Sequence, residues 1–306
     1  MQIGATCGMA TSGSLKDVIA SAIDFETRGF SSMWMVQAFG LDSINALSIA
    51  GRETKSIELG TSVVPTFTRH PVTMAQQALT TAVSSGGRFT LGVGLSHKMI
   101  VEDMYGLSYD KPAKHMREYL SVLGPLLKGE QVSYEGELYN VNFDIGVTDA
   151  PKSLPILLAA LGPVMLKLAG ALADGTVTWL TGLDTLENHI VPSVTKAARE
   201  AGKPAPRIVA GLPILLTNDP NGARESLSNK FQLYDSMPSY QAMLEREGAT
   251  GAADVAILGD ETVLDAAITR LKDMGITDFR SSITGVEEGS VERTLDYLAS
   301  KISEAA

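Results

Sequence analysis

The chain has 306 residues, 44% of them hydrophobic, and a formal net charge of −10. That much apolar material buries a large core, which excludes a disordered chain and a small stapled scaffold. The acidic balance excludes a duplex nucleic-acid partner, and a single cysteine, Cys7, excludes an intrachain disulfide and a cysteine-built metal site.

The chain reads as strand, then helix, repeated. Residues 2–7 (QIGATC) form a short apolar strand. Ser14 and Asp17 then make a variant capping box, with Leu15, Val18, Ile19, Ala22 and Ile23 at helical spacing. Gly29 ends that helix. Residues 33–36 are a second buried strand, residues 42–53 a helix, and residues 57–64 (IELGTSVV) a third strand. Pro71 opens the next helix, and residues 88–95 (RFTLGVGL) are the fourth strand. Met116, Tyr119, Leu120, Leu123, Leu126 and Leu127 share one stripe of a strong helix. Residues 156–161 (ILLAAL) are the fifth strand, and Gly162-Pro163 starts the helix after it. Residues 175–180 (GTVTWL) are the sixth strand, followed by a helix over 184–201. Residues 207–217 are the seventh strand, Thr262 and Asp265 cap a helix, and residues 277–283 (TDFRSSI) are the eighth strand. Val291, Thr294, Leu295, Leu298 and Ile302 mark a closing helix.

Several strands are continuously apolar, as expected of a parallel sheet covered on both faces. Eight strand–helix units over residues 1–306 predict one α/β domain, a closed (β/α)₈ TIM barrel. An open doubly wound sheet is the alternative, but no composition break or switch point marks one. Insertions follow the fourth strand (residues 129–154, with a small hairpin) and the seventh (residues 219–250, an inserted helical lid). Phe231, Tyr234, Met237 and Tyr240 of the second insertion either line a pocket or pack a helical pair. The opening MQIGATCGMA lacks the basic and long apolar runs of a secretory signal, and no window spans a bilayer. Both point to a cytoplasmic protein without a membrane partner.

Barrel sites lie at the C-terminal strand ends. There the chain offers Gly8 and Met9, then Gln37-Ala38-Phe39, Ser62-Val63, Gly94 to His97, Ala160 to Gly162, and Thr178 to Gly182. This rim is poor in charge. It holds no facing carboxylate pair for glycoside hydrolysis, no zinc-type His/Asp cluster and no nucleophile elbow. An apolar rim suits a bound cofactor that carries the hard chemistry. Gly162-Pro163 and Thr181-Gly182 are either anion nests at helix starts or ordinary turns. His97 is either a proton donor or acceptor at the mouth or a supporting histidine. His70 reads as structural or as a subunit contact, His115 and Arg117 as solvated or lid-facing, and His189 as incidental. Trp179 stacks on a planar ligand or packs in the core, and Cys7 is a small core residue.

Four runs carry a family resemblance: GTSVVPTFTRHP (60–71), GGRFTLGVG (86–94), PILLAALGP (155–163) and ADG (173–175). Together they resemble the luciferase-like flavin-dependent superfamily, and more narrowly its coenzyme F420-dependent branch. WMVQAFGLD (34–42), LSH (95–97), HMREYL (115–120) and HIVP (189–192) are similar to an actinobacterial subgroup. The resemblance implies a TIM barrel that binds F420, with FMN as the alternative, and acts on a small-molecule substrate. It also implies a homodimer through the helices after the second and third strands. It places a non-prolyl cis peptide at Ser62-Val63 under the cofactor ring, and the phosphate at Ala160, Leu161, Gly162, Thr181 and Gly182. Gly94, Ser96 and Thr178 complete the cofactor-binding candidates, and His97 and Gln37 are the catalytic ones. His97 matches an acid/base carboxylate of a sugar-phosphate-oxidising member, whose Asp-His pair is replaced here by Gln37-Ala38. That departure favours a reductase over a sugar oxidase. The alternatives are an FMN-dependent monooxygenase served by a separate reductase, and a flavin-binding barrel without catalysis. Because the chain is acidic, backbone N–H groups rather than basic side chains are expected to hold the phosphate.

Overall fold

The computed structural model describes residues 1–7 and 13–305. Its first half runs β1 (Gln2–Thr6), α1 (Leu15–Thr27), β2 (Ser32–Met35), α2 (Ser43–Glu53), β3 (Glu58–Thr61), β4 (Val64–Pro65), α3 (Pro71–Ser84) and β5 (Phe89–Gly94). A π-helical turn (Ile100–Met104) and α4 (Pro112–Leu126) lead to a hairpin of β6 (Val132–Glu135) and β7 (Asn140–Phe143). Then come β8 (Ile156–Ala159), α5 (Pro163–Leu172), β9 (Gly175–Trp179), α6 (Leu183–Thr185), a π-helical turn (Leu186–Ile190) and α7 (Val191–Glu200). The last part is β10 (Arg207–Leu216), α8 (Pro220–Asp235), α9 (Pro238–Glu247), a 3₁₀ turn (Ala252–Val255), β11 (Ile257–Gly259), α10 (Glu261–Asp273), β12 (Asp278–Ile283) and α11 (Ser290–Ala305).

Eight parallel strands close in the order β1-β2-β3-β5-β8-β9-β10-β12, and β12 returns to β1 with Gln2 opposite Asp278. The TIM barrel read from the sequence is therefore the observed fold, with insertions after the fourth and seventh barrel strands. Local chemistry starts the helices as the sequence implied. Ser14 and Asp17 form a reciprocal capping box, Asp42 accepts from the Asn45 N–H, and Pro71 sits in the first turn of α3. Two local readings change. Asp260, not Thr262, caps α10, because its carboxylate reaches the Val263 N–H, while Asp265 accepts from the Tyr297 hydroxyl. The third strand stops at Thr61 and resumes at Val64, broken by the cis peptide between Ser62 and Val63.

Two cores result. The larger lies between strands and helices and holds Met116, Tyr119 and Leu123 of α4. The smaller, of Trp34, Leu157, Val177 and Val209, fills the barrel itself. Trp34 fits there because Gly4 and Gly60 leave room: a Cβ on Gly60 would stand 2.3 Å from the indole. Below Trp34, Arg207 crosses the barrel floor to Glu58 at 2.7 Å and Asp278 at 2.5 Å. The floor is thus closed by a satisfied ion-pair network, and the barrel opens only at the other end.

Candidate functional site

The open end is built from the loops that leave the C-terminal ends of the strands. On the β3–β5 side the chain bulges at Ser62-Val63, whose peptide bond is cis. Gly94 makes the bulge possible: a Cβ there would lie 2.7 Å from the Val63 side chain. The Ser62 hydroxyl is buried and has no hydrogen-bond partner among the described residues. A buried hydroxyl left open at a strand end is a binding signal, because burying it unpaired costs free energy.

His115 braces this wall from behind. Its ring stacks on Phe67, with centroids 4.0 Å apart, and its Nε2 lies 2.9 Å from the Thr66 hydroxyl. Thr66 in turn reaches the Gly94 carbonyl, and Tyr139 meets Nδ1 at 3.3 Å. One neutral tautomer satisfies the set: Tyr139 donates to Nδ1, Nε2–H donates to Thr66, and Thr66 donates to Gly94. Burial lowers the imidazole to about 4. The expectation of a solvated or lid-facing His115 is therefore wrong. Glu118, one helical turn on, accepts the N–H groups of Glu137, Leu138 and Tyr139 and so ties the hairpin to α4.

His97 follows β5 and is half-buried at the mouth, its ring 5.9 Å from that of Tyr240. Burial pushes its pKa below the ordinary imidazole value. Ser96 beside it has φ 61°, and Leu180, leaving β9, has φ 49°. Left-handed non-glycine residues cost of order 1–3 kcal/mol each and cluster at functional sites.

Other sequence candidates are used differently. The Gln37 amide oxygen accepts from both the backbone N–H (2.7 Å) and the hydroxyl (3.0 Å) of Ser43. It positions the start of α2 rather than offering that oxygen to a ligand. Strand alternation sends Val177 and Trp179 into the barrel and turns the Thr178 side chain outward, where its hydroxyl, like that of Ser62, is buried without a partner among the described residues. Ala160 likewise is buried on the helix side, whereas Leu161 is partly exposed. His70 caps α3, its Nδ1 accepting from the Val72 N–H. His189 is not incidental: its Nε2 donates to the Leu161 carbonyl at 2.9 Å and so holds the turn that leads into Gly162. Gly8 and Met9 lie outside the described residues.

The two candidate anion nests separate. Among the described residues the start of α5 at Gly162 has no side-chain cap, and apart from its chain neighbours no atom lies within 4 Å of where a Cβ would stand. The N–H groups of the first turn are thus open to a ligand. At Gly182 the position is taken. The Glu247 carboxylate, from α9, accepts from the Asp184 N–H at 3.1 Å and the Thr185 N–H at 2.8 Å. Glu247 thus caps α6 and latches the helical insertion onto the turn after Thr181-Gly182, so the Asp184 and Thr185 N–H groups are already satisfied.

That insertion covers the mouth. Phe231, Tyr234 and Tyr240 form an aromatic cluster against Trp179, with Phe231 at 5.8 Å and Tyr234 at 6.5 Å between centroids. Beneath them stands Arg280 of β12, which sequence reasoning missed. It is 2% exposed, 4.9 Å from the Trp179 ring, and donates to the Thr6 hydroxyl at 3.0 Å. Its signal was the alternation Asp278, Arg280, Ser282, which turns every second residue of the strand into the barrel.

A family model described as luciferase-like monooxygenase matches residues 1–297. The chain belongs to the luciferase-like monooxygenase family. It is 33% identical over 153 residues to a 5,10-methylenetetrahydromethanopterin reductase of Archaeoglobus fulgidus, spanning 50% of this chain and 46% of the reductase. The chain thus aligns with about half the length of that relative. It is 26% identical over 270 residues to an F420-dependent glucose-6-phosphate dehydrogenase of Amycolatopsis mediterranei, covering 83% of this chain and 80% of that one. Among solved structures, an F420-dependent secondary alcohol dehydrogenase superposes with a TM-score of 0.82 at 22% identity, covering 98% and 97% of the two chains. That last likeness is one of fold. Among the described residues no helix is long and apolar enough to cross a membrane.

Proposed function

We propose that this barrel is a coenzyme F420-dependent oxidoreductase that transfers hydride between the deazaflavin and a small organic substrate, working as a reductase. The observation that carries the reading is the wall at Ser62-Val63. There a bulge, a glycine with no room for a side chain and a buried hydroxyl without a partner among the described residues combine into a flat polar rest inside an apolar mouth. Relatives named as F420-dependent support it.

The residues present fit such a cofactor. Ser62 and Val63 would bear the ring, Gly94 and Ser96 would border it, and the open start of α5 at Gly162 would take the phosphate with backbone N–H groups. Bound reduced F420 supplies the hydride. His97 places an imidazole with a depressed pKa at the rim, and unlike His115 it is not locked behind the wall. The aromatic insertion excludes water from the reacting face. The replacement of an Asp-His pair by Gln37-Ala38 favours delivery of hydride to an electron-poor carbon over oxidation of a sugar hydroxyl.

A second reading is an FMN-dependent monooxygenase fed by a separate reductase. Its support is charge: a chain of net −10, with Glu247 already in one nest, receives FMN more easily than a cofactor with a polyglutamate tail. Titrating the protein with F420 and with FMN, followed by cofactor fluorescence, separates the readings. F420 binding with turnover of reduced F420 by an enone or imine is expected; tight FMN binding without F420 binding refutes the proposal. Binding without turnover across a broad panel leaves a carrier barrel. If His97 donates the proton, reduction slows as pH rises through a pKa below 6.5, and His97→Ala removes that limb.

A further inference from the structure

Arg280 stands inside the barrel without an anion. No carboxylate pairs with it among the described residues, and residues 8–12 (GMATS) contain none in the sequence. Its visible partners are neutral: the Thr6 hydroxyl, a long 3.4 Å contact to the Thr178 carbonyl, and the Trp179 face. Its Nε–H has no acceptor among the described residues although the residue is 2% exposed. Burial without an opposite charge lowers even this guanidinium to about 10, with only the hydroxyls of Tyr234 and Tyr240 opposing the shift. An unpaired buried charge is costly, and natural cores keep one only where something else compensates. The barrel makes space for it: a Cβ on Gly211 would stand 2.1 Å from Nη2.

The surroundings define what would compensate. The guanidinium is on β12, three strands round the barrel from β3, which ends just before the Ser62-Val63 peptide. Trp179 flanks it, and Phe231, Tyr234 and Tyr240 of the insertion form an aromatic cluster on Trp179. A planar fork of donors below aromatic rings matches a planar oxyanion on an apolar body.

We propose that Arg280 is the substrate-recognition residue and that the substrate class is a small carboxylate with a flat apolar or aromatic body. The assignment rests on the reading of the mouth as an oxidoreductase site. Its test is independent of the cofactor. Titrate the protein, free of F420, with benzoate and with benzamide, following tryptophan fluorescence and calorimetry. Benzoate is expected to saturate and benzamide not to. Arg280→Met should weaken benzoate at least tenfold, Arg280→Lys less. Urea unfolding of Arg280→Met should show an unchanged or raised midpoint, since an uncompensated charge has been removed. Should Arg280→Met fail to fold, Arg280→Lys, which keeps the charge but not the planar fork, and Gly211→Ala, whose Cβ crowds both the guanidinium and the Thr178 carbonyl, should each weaken benzoate. Benzoate refused by the wild type, or bound equally by Arg280→Met, overturns the proposal. So does a midpoint that falls on losing Arg280 while benzoate binding persists in Gly211→Ala, which would mark a structural arginine. F420 bound but benzoate refused sinks only the carboxylate assignment; benzoate bound but F420 refused sinks only the cofactor reading.

Discussion

Two arginines point into the same barrel, from neighbouring strands, and they meet opposite surroundings. At the floor, Arg207 is held by Glu58 and Asp278 and stacks under Trp34 at 5.6 Å; these carboxylates push its pKa up. At the mouth, Arg280 has a hydroxyl, a distant carbonyl and an indole, and its pKa is pushed down. Arg280 is 2% exposed and the Arg207 side chain 24%, but the sharper difference between them is in their partners. A structural charge arrives with its counter-charges built into adjacent strands, whereas a recruiting charge is left for something the fold does not contain.

The most damaging substitution breaks the floor. Arg207→Met leaves Glu58 and Asp278 without their cation and should destabilise in urea unfolding, by less than the roughly 3–5 kcal/mol of a fully buried pair because Arg207 and Glu58 keep 24% and 28% of their side-chain surface in solvent. An effect near that of Arg280→Met would erase the contrast between the two ends. A smaller effect concerns the wall behind the bulge. His115 is lowered to about 4, below its unfolded value near 6.5, so unfolding takes up a proton between those values. Stability should be full above about pH 6.5 and fall as pH drops toward 4. By linkage this amounts to up to about 3 kcal/mol. His115→Phe should flatten that limb of the stability–pH curve; an unchanged curve would show that His115 is not held neutral. The mildest change concerns the latch. Glu247 substitutes for a missing cap on α6, and such caps contribute about 1 kcal/mol. Glu247→Ala should speed amide exchange in α8 and α9 by a few-fold while leaving the barrel strands unchanged. Uniform acceleration across the strands would mean that the insertion is not an independently opening unit.

The parts of this molecule that depend on near neighbours were legible. The strand–helix alternation, the Ser14–Asp17 capping box, the Pro71 helix start and the α4 stripe all rest on residues within a few positions of each other. At the mouth, the cis peptide at Ser62-Val63 was legible only because a family motif carried it. The surroundings of Gln37, His115 and the turn at Gly182 were not legible for one reason: each has a suggestive residue type at a strand end or helix start, but its partners come from residues beyond the local pattern. Gln37 is consumed by Ser43, His115 by Thr66 and Tyr139, and Gly182 by the distant Glu247, whose carboxylate no local pattern announces.

Apolar periodicity and capping are short-range properties of the chain, so eight parallel strands wrapped by helices could be read from residue order alone. Which charges find partners could not, because that depends on how the barrel closes. Closure sets the stagger between strands. In that stagger Val209 of β10 pairs with Asp278 and Gly211 with Arg280, so Arg207 reaches Asp278 and Glu58 from one inward position below Asp278, while Arg280 of β12 stands at a level whose inward neighbours are Gly211, Thr6 and Trp179. Two inward positions along β10 separate the ion-paired floor from the level at which Arg280 lies without a carboxylate partner among the described residues.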